Sequence, residues 1–329
     1  PRSPGEDAVW DIAAQVPGID AIIFGHSHGQ LSGLRVNGVL LVQPKNWAQS
    51  VAELRITLQR DAPQQAWQLV DKQSRLLPVD ESIAADAEIL ALARAAHLAT
   101  ERWLNTTVVR AATALDTRTA RFEDHPLVEL VHRVELHYGQ AEVALASAFS
   151  PWLEVPAGPV TIRQIFALDP SESQLVTIEV TGTQLRQALE HSARYFRGYP
   201  FSAGDSFFTP GISANDFDIA GGVSYKLDLT KPVGERVVDL RFHDQPLAPT
   251  QKLRVALSSY RYAGGGDYEM LRGAKVVHRT KKEIRSLLID YLLEVGTLDS
   301  TVDNNWQILP DSARQTLLDS VRPAAMALP

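Results

Sequence analysis

Two histidines set two residues apart, in Gly25-His26-Ser27-His28-Gly29, are the clearest carriers of chemistry in this sequence. Two motifs fit the run. As Gly-x-Ser-x-Gly it would be a nucleophile elbow, with Ser27 on a tight turn that must lead straight into a helix. Gln30-Leu31-Ser32-Gly33-Leu34 follows instead, and then a β-type run, which sets the elbow aside. As His-x-His it places two imidazoles on a loop after a short apolar strand, the edge where α/β sheets usually hold ligands. In an extended segment residues i and i+2 point the same way, and Gly25 would let the chain turn sharply beneath them. Such a pair can face divalent ions, and two ions about 3.5–4 Å apart can hold a hydroxide and clamp phosphoryl oxygens. A bare His-x-His is more often an ordinary loop. The strand before it and the hairpin after it favour the metal reading.

A second cluster is Tyr260-Arg261-Tyr262-Ala263-Gly264-Gly265-Gly266-Asp267-Tyr268, placed directly after a strand at Leu253 to Leu257. An aromatic ring beside glycines offers a stacking face for a base, and backbone without side chains allows a sugar to approach closely. Asp267 could accept a hydrogen bond from a ribose hydroxyl. The same residues also describe a turn carrying a core tyrosine, and their types alone leave both readings open. Arg118 and Arg121, in a loop before Asp124, could reach a phosphate, although exposed arginines are usually just solvated. His97, His125, His132, His137, His191, His243 and His278 have no ligand-like spacing and are read as structural or surface residues.

The elements that must position these residues fall into two regions. In the first, Val9, Ile12, Ala13 and Val16 predict a helix from Glu6 to Val16, stopped by Pro17-Gly18. Asp20 to Phe24 predicts a buried strand. Leu34 to Val42 predicts a hairpin turning at Asn37-Gly38, and Val51 to Leu58 a strand that Trp67 to Val70 could pair with. Ala85, Ile89, Leu92, Ala96, Ala99 and Trp103 then share one face of a connecting helix. Beyond it strands and three helices alternate. One begins at Asp124-His125-Pro126 and ends at Gly139. One carries Leu185, Ala188, Leu189, Ser192 and Phe196. The third opens on a capping box, Thr280 to Glu283, and ends at Gly296. The tail after Arg322 is expected to fray.

Composition bounds the function. With 329 residues, 45% of them hydrophobic, the chain can bury a core and fits two domains. A formal charge of −7 argues against a nucleic-acid polymer or an anionic membrane as main partner. No apolar run is long enough to span a bilayer. There is no cysteine, so any metal must sit on His and oxygen ligands. The chain begins at Pro1, and a leader or an upstream segment is expected to precede it.

Val16 through His28 resembles the last metal-binding motif of calcineurin-like metallophosphoesterases, and Val39 to Pro44 is similar to the strand that follows it there. Thr161 to Ile165, Gln174 to Val176, Val180 to Leu185, Phe217-Asp218, Gly222 to Tyr225 and Ser258 to Leu271 resemble the 5′-nucleotidase C-terminal domain. Glu190 to Phe196 and Ser259-Tyr260-Arg261 lean toward the 2′,3′-cyclic-nucleotide 2′-phosphodiesterase/3′-nucleotidase branch. The resemblance implies an α+β chain. Residues 1–78 would be the end of a four-layer αββα catalytic domain, 79–104 a linker helix, and 105–329 a substrate-binding α/β domain. It implies two divalent ions, Mn, Zn or similar, in the intact protein, with His26 and His28 as ligands. The remaining ligands would lie before Pro1, so these residues alone are expected not to hydrolyse phosphoesters. It implies a nucleotide substrate, with Tyr260 stacking on the base, Arg261, Gly264, Gly265, Gly266 and Asp267 around it, and a periplasmic or secreted location. Relatives carry a second aromatic and an Asn where this chain has Ser171 and Ser173; Phe217 or Tyr225 could supply the other face, although each reads more readily as a core residue. A non-nucleotide substrate, as in thiosulfohydrolases of this architecture, or a binding module without chemistry stays open. Oligomeric state is not encoded in any of these features.

Overall fold

The computed structural model describes residues 8–202 and 204–321. Glu6, the expected start of the first helix, and the tail after Arg322 lie outside them. The chain divides into two compact units between Ala95 and Ala96.

In the first unit, α1 (Val9–Gln15) lays Val9 and Ala13 against β3 (Val39–Gln43), whose five residues are all buried. β3 is central, with β1 (Ala21–Ile23) parallel on one side and β2 (Leu31–Val36) antiparallel on the other. Asn37 and Gly38, at φ 48° and 85°, make the hairpin turn that their types predict. The expectation of a buried β1 is corrected. It spans three residues, pairs only with β3 within this sheet, and leaves Ile23 60% exposed. A long ribbon follows, β4 (Ser50–Gln59) against β5 (Gln68–Pro78). α2 (Ala87–Leu104), the expected helix, runs across the division between the units; none of its residues is buried, and Trp103 near its end packs edge-on against Phe166 at 5.3 Å between ring centres.

The second unit starts with β6 (Thr107–Ala111) and β7 (Leu115–Asp116), then α3 (Pro126–Gly139) and β8 (Val143–Ser147). After β9 (Glu154–Val155), β10 (Gly158–Thr161) and α4 (Ile162–Leu168) come β11 (Gln174–Thr181) and α5 (Gly182–Ala193). β12 (Asp218–Gly221), β13 (Ser224–Asp228), β14 (Val237–Phe242), β15 (Gln245–Pro246) and β16 (Lys252–Ser258) lead into the single turn α6 (Ser259–Tyr262). β17 (Lys275–Glu283), α7 (Ile284–Val295), β18 (Trp306–Leu309) and α8 (Asp311–Val321) complete it.

Five strands form the main sheet, in the order β12-β8-β16-β11-β17, and β15-β14-β13-β18 form a second. Alternation along β11 serves two cores: Val176, Ile178 and Val180 join the one that includes α5, β13 and β14, while Leu175 joins the one under α3 and α7. The α+β class is as expected.

Two helix signals read differently in three dimensions. Gly139 is the last residue of α3 and Gln140 takes the left-handed cap at φ 50°. Gly139 is required because a Cβ there would lie 2.9 Å from Thr177 Oγ1 and 3.0 Å from Ala256 Cβ. Thr280 to Glu283 is no capping box: β17 continues to Glu283, paired with Gln174, and the helix starts afterwards. A capping box does form at α5, where Thr181 Oγ1 accepts from Gln184 N–H and Gln184 Oε1 accepts from Thr181 N–H.

Candidate functional site

Strand directions gather four loops at one end of the main sheet. β8 and β16 run parallel, so residues 148–153 and 259–267 leave the sheet side by side. β11 and β12 run the other way, with Leu175 opposite Ser258 and Asp218 opposite Ser147, which brings residues 169–173 and 213–217 to the same rim. The amide of Gln174 donates to Ser259 Oγ at 3.2 Å, joining the serine loop to α6.

On this rim Tyr260 is 45% exposed and its neighbour Arg261 only 4%. One turn of helix separates their fates. Ser258 caps α6 by accepting from Arg261 N–H, and the Arg261 side chain turns inward. Its Nε and Nη2 donate to both oxygens of Asp218 at 2.8 Å, Nη1 donates to Gly265 O at 2.6 Å, and Nη2 also donates to Asn215 O at 2.7 Å. Tyr268 stacks on the guanidinium at 4.1 Å. Burial opposes its charge, but Asp218 and the other anionic neighbours outweigh burial and raise its pKa. The expectation of Arg261 as a substrate contact is corrected: its fork is filled by protein groups, and it holds the loop in place.

The glycines are also corrected. A Cβ on Gly265 would lie 2.4 Å from the Tyr260 ring, and one on Gly266 would lie 2.3 Å from both Arg261 Nη1 and Asp216 Oδ1. The space expected to admit a sugar is filled by the protein's own ring and ion pair. Gly264, Gly266 and Asp267 sit at φ 92°, 68° and 63° and turn the chain beneath Tyr260. Asp267 is half-buried on the same rim.

Phe217 is fully buried, 5.0 Å from Phe196 and 6.0 Å from Trp306 between ring centres, and cannot stack on a ligand. Tyr225 is buried too, its hydroxyl accepting from Ala220 N–H. Ser171 Oγ donates to Asp169 Oδ1 at 2.6 Å in a closed turn, and Ser173 is buried. Trp152, in the loop after β8, is an exposed aromatic on this rim that sequence reasoning missed. Only the parallel pairing of β8 and β16 brings it here.

Beneath the rim the electrostatics are unusual. Glu135 of α3 is buried, its Oε2 has no hydrogen-bond partner among the described residues, and burial, then Asp169 and Asp218, push its pKa well above the carboxylate range. Arg118 pairs with Asp116, and Arg121 binds Ala148 O. His191 holds a structural place beside the glycine loop, its Nε2 2.8 Å from Gly266 O and its ring 4.4 Å from that of Tyr268. Elsewhere Asp124, Glu129 and Asp303 bring carboxylate oxygens within 4.8 Å of one another, and burial, then Glu129, pushes Asp124 up to about 6.

In the first unit, His26 and His28 follow β1 and are both exposed, in a segment that is not extended. They have φ 70° and 53°, and Ser27 N–H donates to Gly25 O at 2.9 Å. The chain therefore turns at the histidines rather than at Gly25, and the expected i, i+2 projection gives way to a tight γ-type turn. Ser27 Oγ is held by the buried Gln43 amide at 2.9 Å. Imidazole suits a divalent ion, but among the described residues no third His or carboxylate gathers with these two. By donor count they do not make a complete metal centre.

A mixed sheet with helices packed on it, its rim carrying an exposed aromatic over a glycine turn, defines an α+β domain. The profile of the 5′-nucleotidase C-terminal domain matches residues 102–273, more than half of the chain, and the chain belongs to that family. It is 25% identical over 365 residues to the trifunctional nucleotide phosphoesterase protein YfkN of Bacillus subtilis, covering 97% of this chain and 25% of that protein. It is 26% identical to the 2′,3′-cyclic-nucleotide 2′-phosphodiesterase/3′-nucleotidase of Haemophilus influenzae, covering 92% of this chain and 55% of that protein. A Staphylococcus aureus structure described as a 5′-nucleotidase shares its fold with TM-score 0.70 and 24% identity, covering 88% of this chain and 56% of that one. The chain thus spans a quarter to about half of these relatives.

Proposed function

We propose that this chain serves a metal-dependent hydrolysis of nucleotide phosphoesters, of the 2′,3′-cyclic-nucleotide 2′-phosphodiesterase/3′-nucleotidase type, in a periplasmic or exported protein. Residues 105–329 present the nucleotide. Residues 1–78 contribute His26 and His28 as ligands to divalent ions whose other ligands lie outside the described residues, and 79–104 link the two parts. Among the described residues no helix is long and apolar enough to cross a membrane.

The observation that carries this reading is the Tyr260 ring, exposed on the rim and seated on Gly265. A ring backed by protein keeps an orientation in which a base can stack on it. Asp267, on the same loop, has the acceptor a ribose hydroxyl needs. We assign Trp152 as a candidate for the second aromatic face.

Calorimetric titration with 2′,3′-cyclic AMP, 3′-AMP, 5′-AMP and a UDP-sugar tests the reading. Tyr260→Ala should weaken nucleotide binding roughly ten- to hundredfold, the loss of one base–ring stack, while leaving the melting temperature nearly unchanged because the ring is exposed. Equal affinity in the variant would overturn the assignment. A preference for 5′-AMP and the UDP-sugar would overturn the branch.

A further inference from the structure

Glu190 to Arg194, on α5 and its C-terminal cap, is a stretch that the nucleotide reading leaves unused. Its outer side, together with Val233, Gly234 and Met270, lines a shallow groove of about 460 Å³ open to solvent. Arg186 and Arg194 both line it. Arg186 gives one N–H to Val237 O, and Arg194 binds the carbonyl and the ring of His191. Among the described residues neither is ion-paired with a carboxylate. The groove's own carboxylate, Glu190, is engaged by the backbone N–H groups of Arg236 and Val237 at 3.0 and 2.7 Å. Two guanidinium groups that are not ion-paired, against the single carboxylate of Glu190, leave a net positive charge next to an apolar wall of Val233 and Met270, which complements an anion on an apolar body.

His191 connects this groove to the rim. Its Nε2 lies 2.6 Å from Arg194 Nη2 and 2.8 Å from Gly266 O. The two contacts exclude each other as hydrogen bonds. Arg194 can only donate and needs a lone pair on Nε2, whereas Gly266 O can only accept and needs a proton there. Whichever partner Nε2 serves, the other is left without it.

We propose that the groove binds a small organic phosphate, and that its occupancy is relayed to the glycine loop through His191. A phosphate on Arg194 draws the guanidinium away from the ring. The proton then leaves Nδ1 for solvent while Nε2 takes one up, and Nε2–H donates to Gly266 O, fixing the loop that carries Tyr260 and Asp267. The site is separate from the proposed nucleotide site and does not depend on it.

The test uses phenyl phosphate and the whole chain. Titration followed by ¹⁵N NMR of the histidine rings should show saturable binding, with His191 Nε2 moving from an acceptor to an N–H signature. Arg194→Gln and Arg186→Gln should each weaken binding roughly tenfold, as loss of a charge-assisted hydrogen bond does, with the melting temperature unchanged. Tyr260→Ala should leave it intact. Loss of binding in Tyr260→Ala would place the probe on the nucleotide rim and overturn the proposal. So would unchanged binding in both arginine variants, a His191 signal that stays fixed at saturation, or equal affinity for inorganic phosphate.

Discussion

Tyr260 and Arg261 are adjacent in sequence and opposite in role, and each supports a different kind of prediction. Arg261 forms a buried two-point ion pair with Asp218. Arg261→Met would leave the carboxylate of Asp218 buried and unpaired, at a cost of about 3–5 kcal/mol. A fall of that size in unfolding free energy should appear in urea titration, and pairing the change with Asp218→Asn should recover much of it. A loss confined to nucleotide affinity would instead return Arg261 to the ligand. Gly265→Ala probes the other side of the turn. Its Cβ would fall 2.4 Å from the Tyr260 ring, so the ring must swing away. Nucleotide affinity should drop about as far as in Tyr260→Ala, with a stability change of about 1 kcal/mol or less because the displaced ring is exposed. Residue types disclosed an aromatic beside glycines. That the glycines exist to admit Tyr260 and Arg261, rather than a sugar, depends on which atoms meet them.

Among the elements, α3 illustrates how far periodicity reaches. Its stripe of Leu127, Leu130, Val131 and Val134 is legible in sequence and packs into one core as the period requires. Glu135 breaks the pattern, since it is equally buried without belonging to the stripe. Its folded pKa is raised above an ordinary value of 4.5, first by burial and then by Asp169 and Asp218. For an acid this stability is present in full below the ordinary pKa and is lost as pH rises toward the folded one. Glu135→Gln should therefore match the parent near pH 4 and exceed it increasingly toward pH 8, measured as the difference in urea midpoints. A pH-independent difference would show that the carboxyl does not titrate in this way. The misread capping box makes the complementary point. Thr-x-x-Glu announces a helix start only when no neighbouring strand claims those residues, and β11 does.

For the whole molecule, the catalytic question turns on what accompanies His26 and His28. Two imidazoles without a bridging carboxylate bind a divalent ion weakly. The purified chain with Mn²⁺ or Zn²⁺ should therefore show no metal-dependent turnover of 2′,3′-cyclic AMP or 3′-AMP, and metal-induced shifts confined to His26 and His28 should appear only at high metal concentration. Chelator-sensitive hydrolysis by this chain would sink that expectation. The α+β class, the Asn37-Gly38 hairpin, the apolar stripes of α3, α5 and α7, and the two loops where chemistry concentrates were all legible in the order of residues. Those are local properties, fixed by period, turn chemistry and residue type. It took three-dimensional packing to turn Arg261 and Phe217 inward, to put the turn at His26 and His28, and to bring Trp152 and His191 to the glycine loop's end of the sheet or to the loop itself. Burial and neighbourhood depend on strand order and direction, here β12-β8-β16-β11-β17, and residues 40 or 100 positions apart carry no local signal of it.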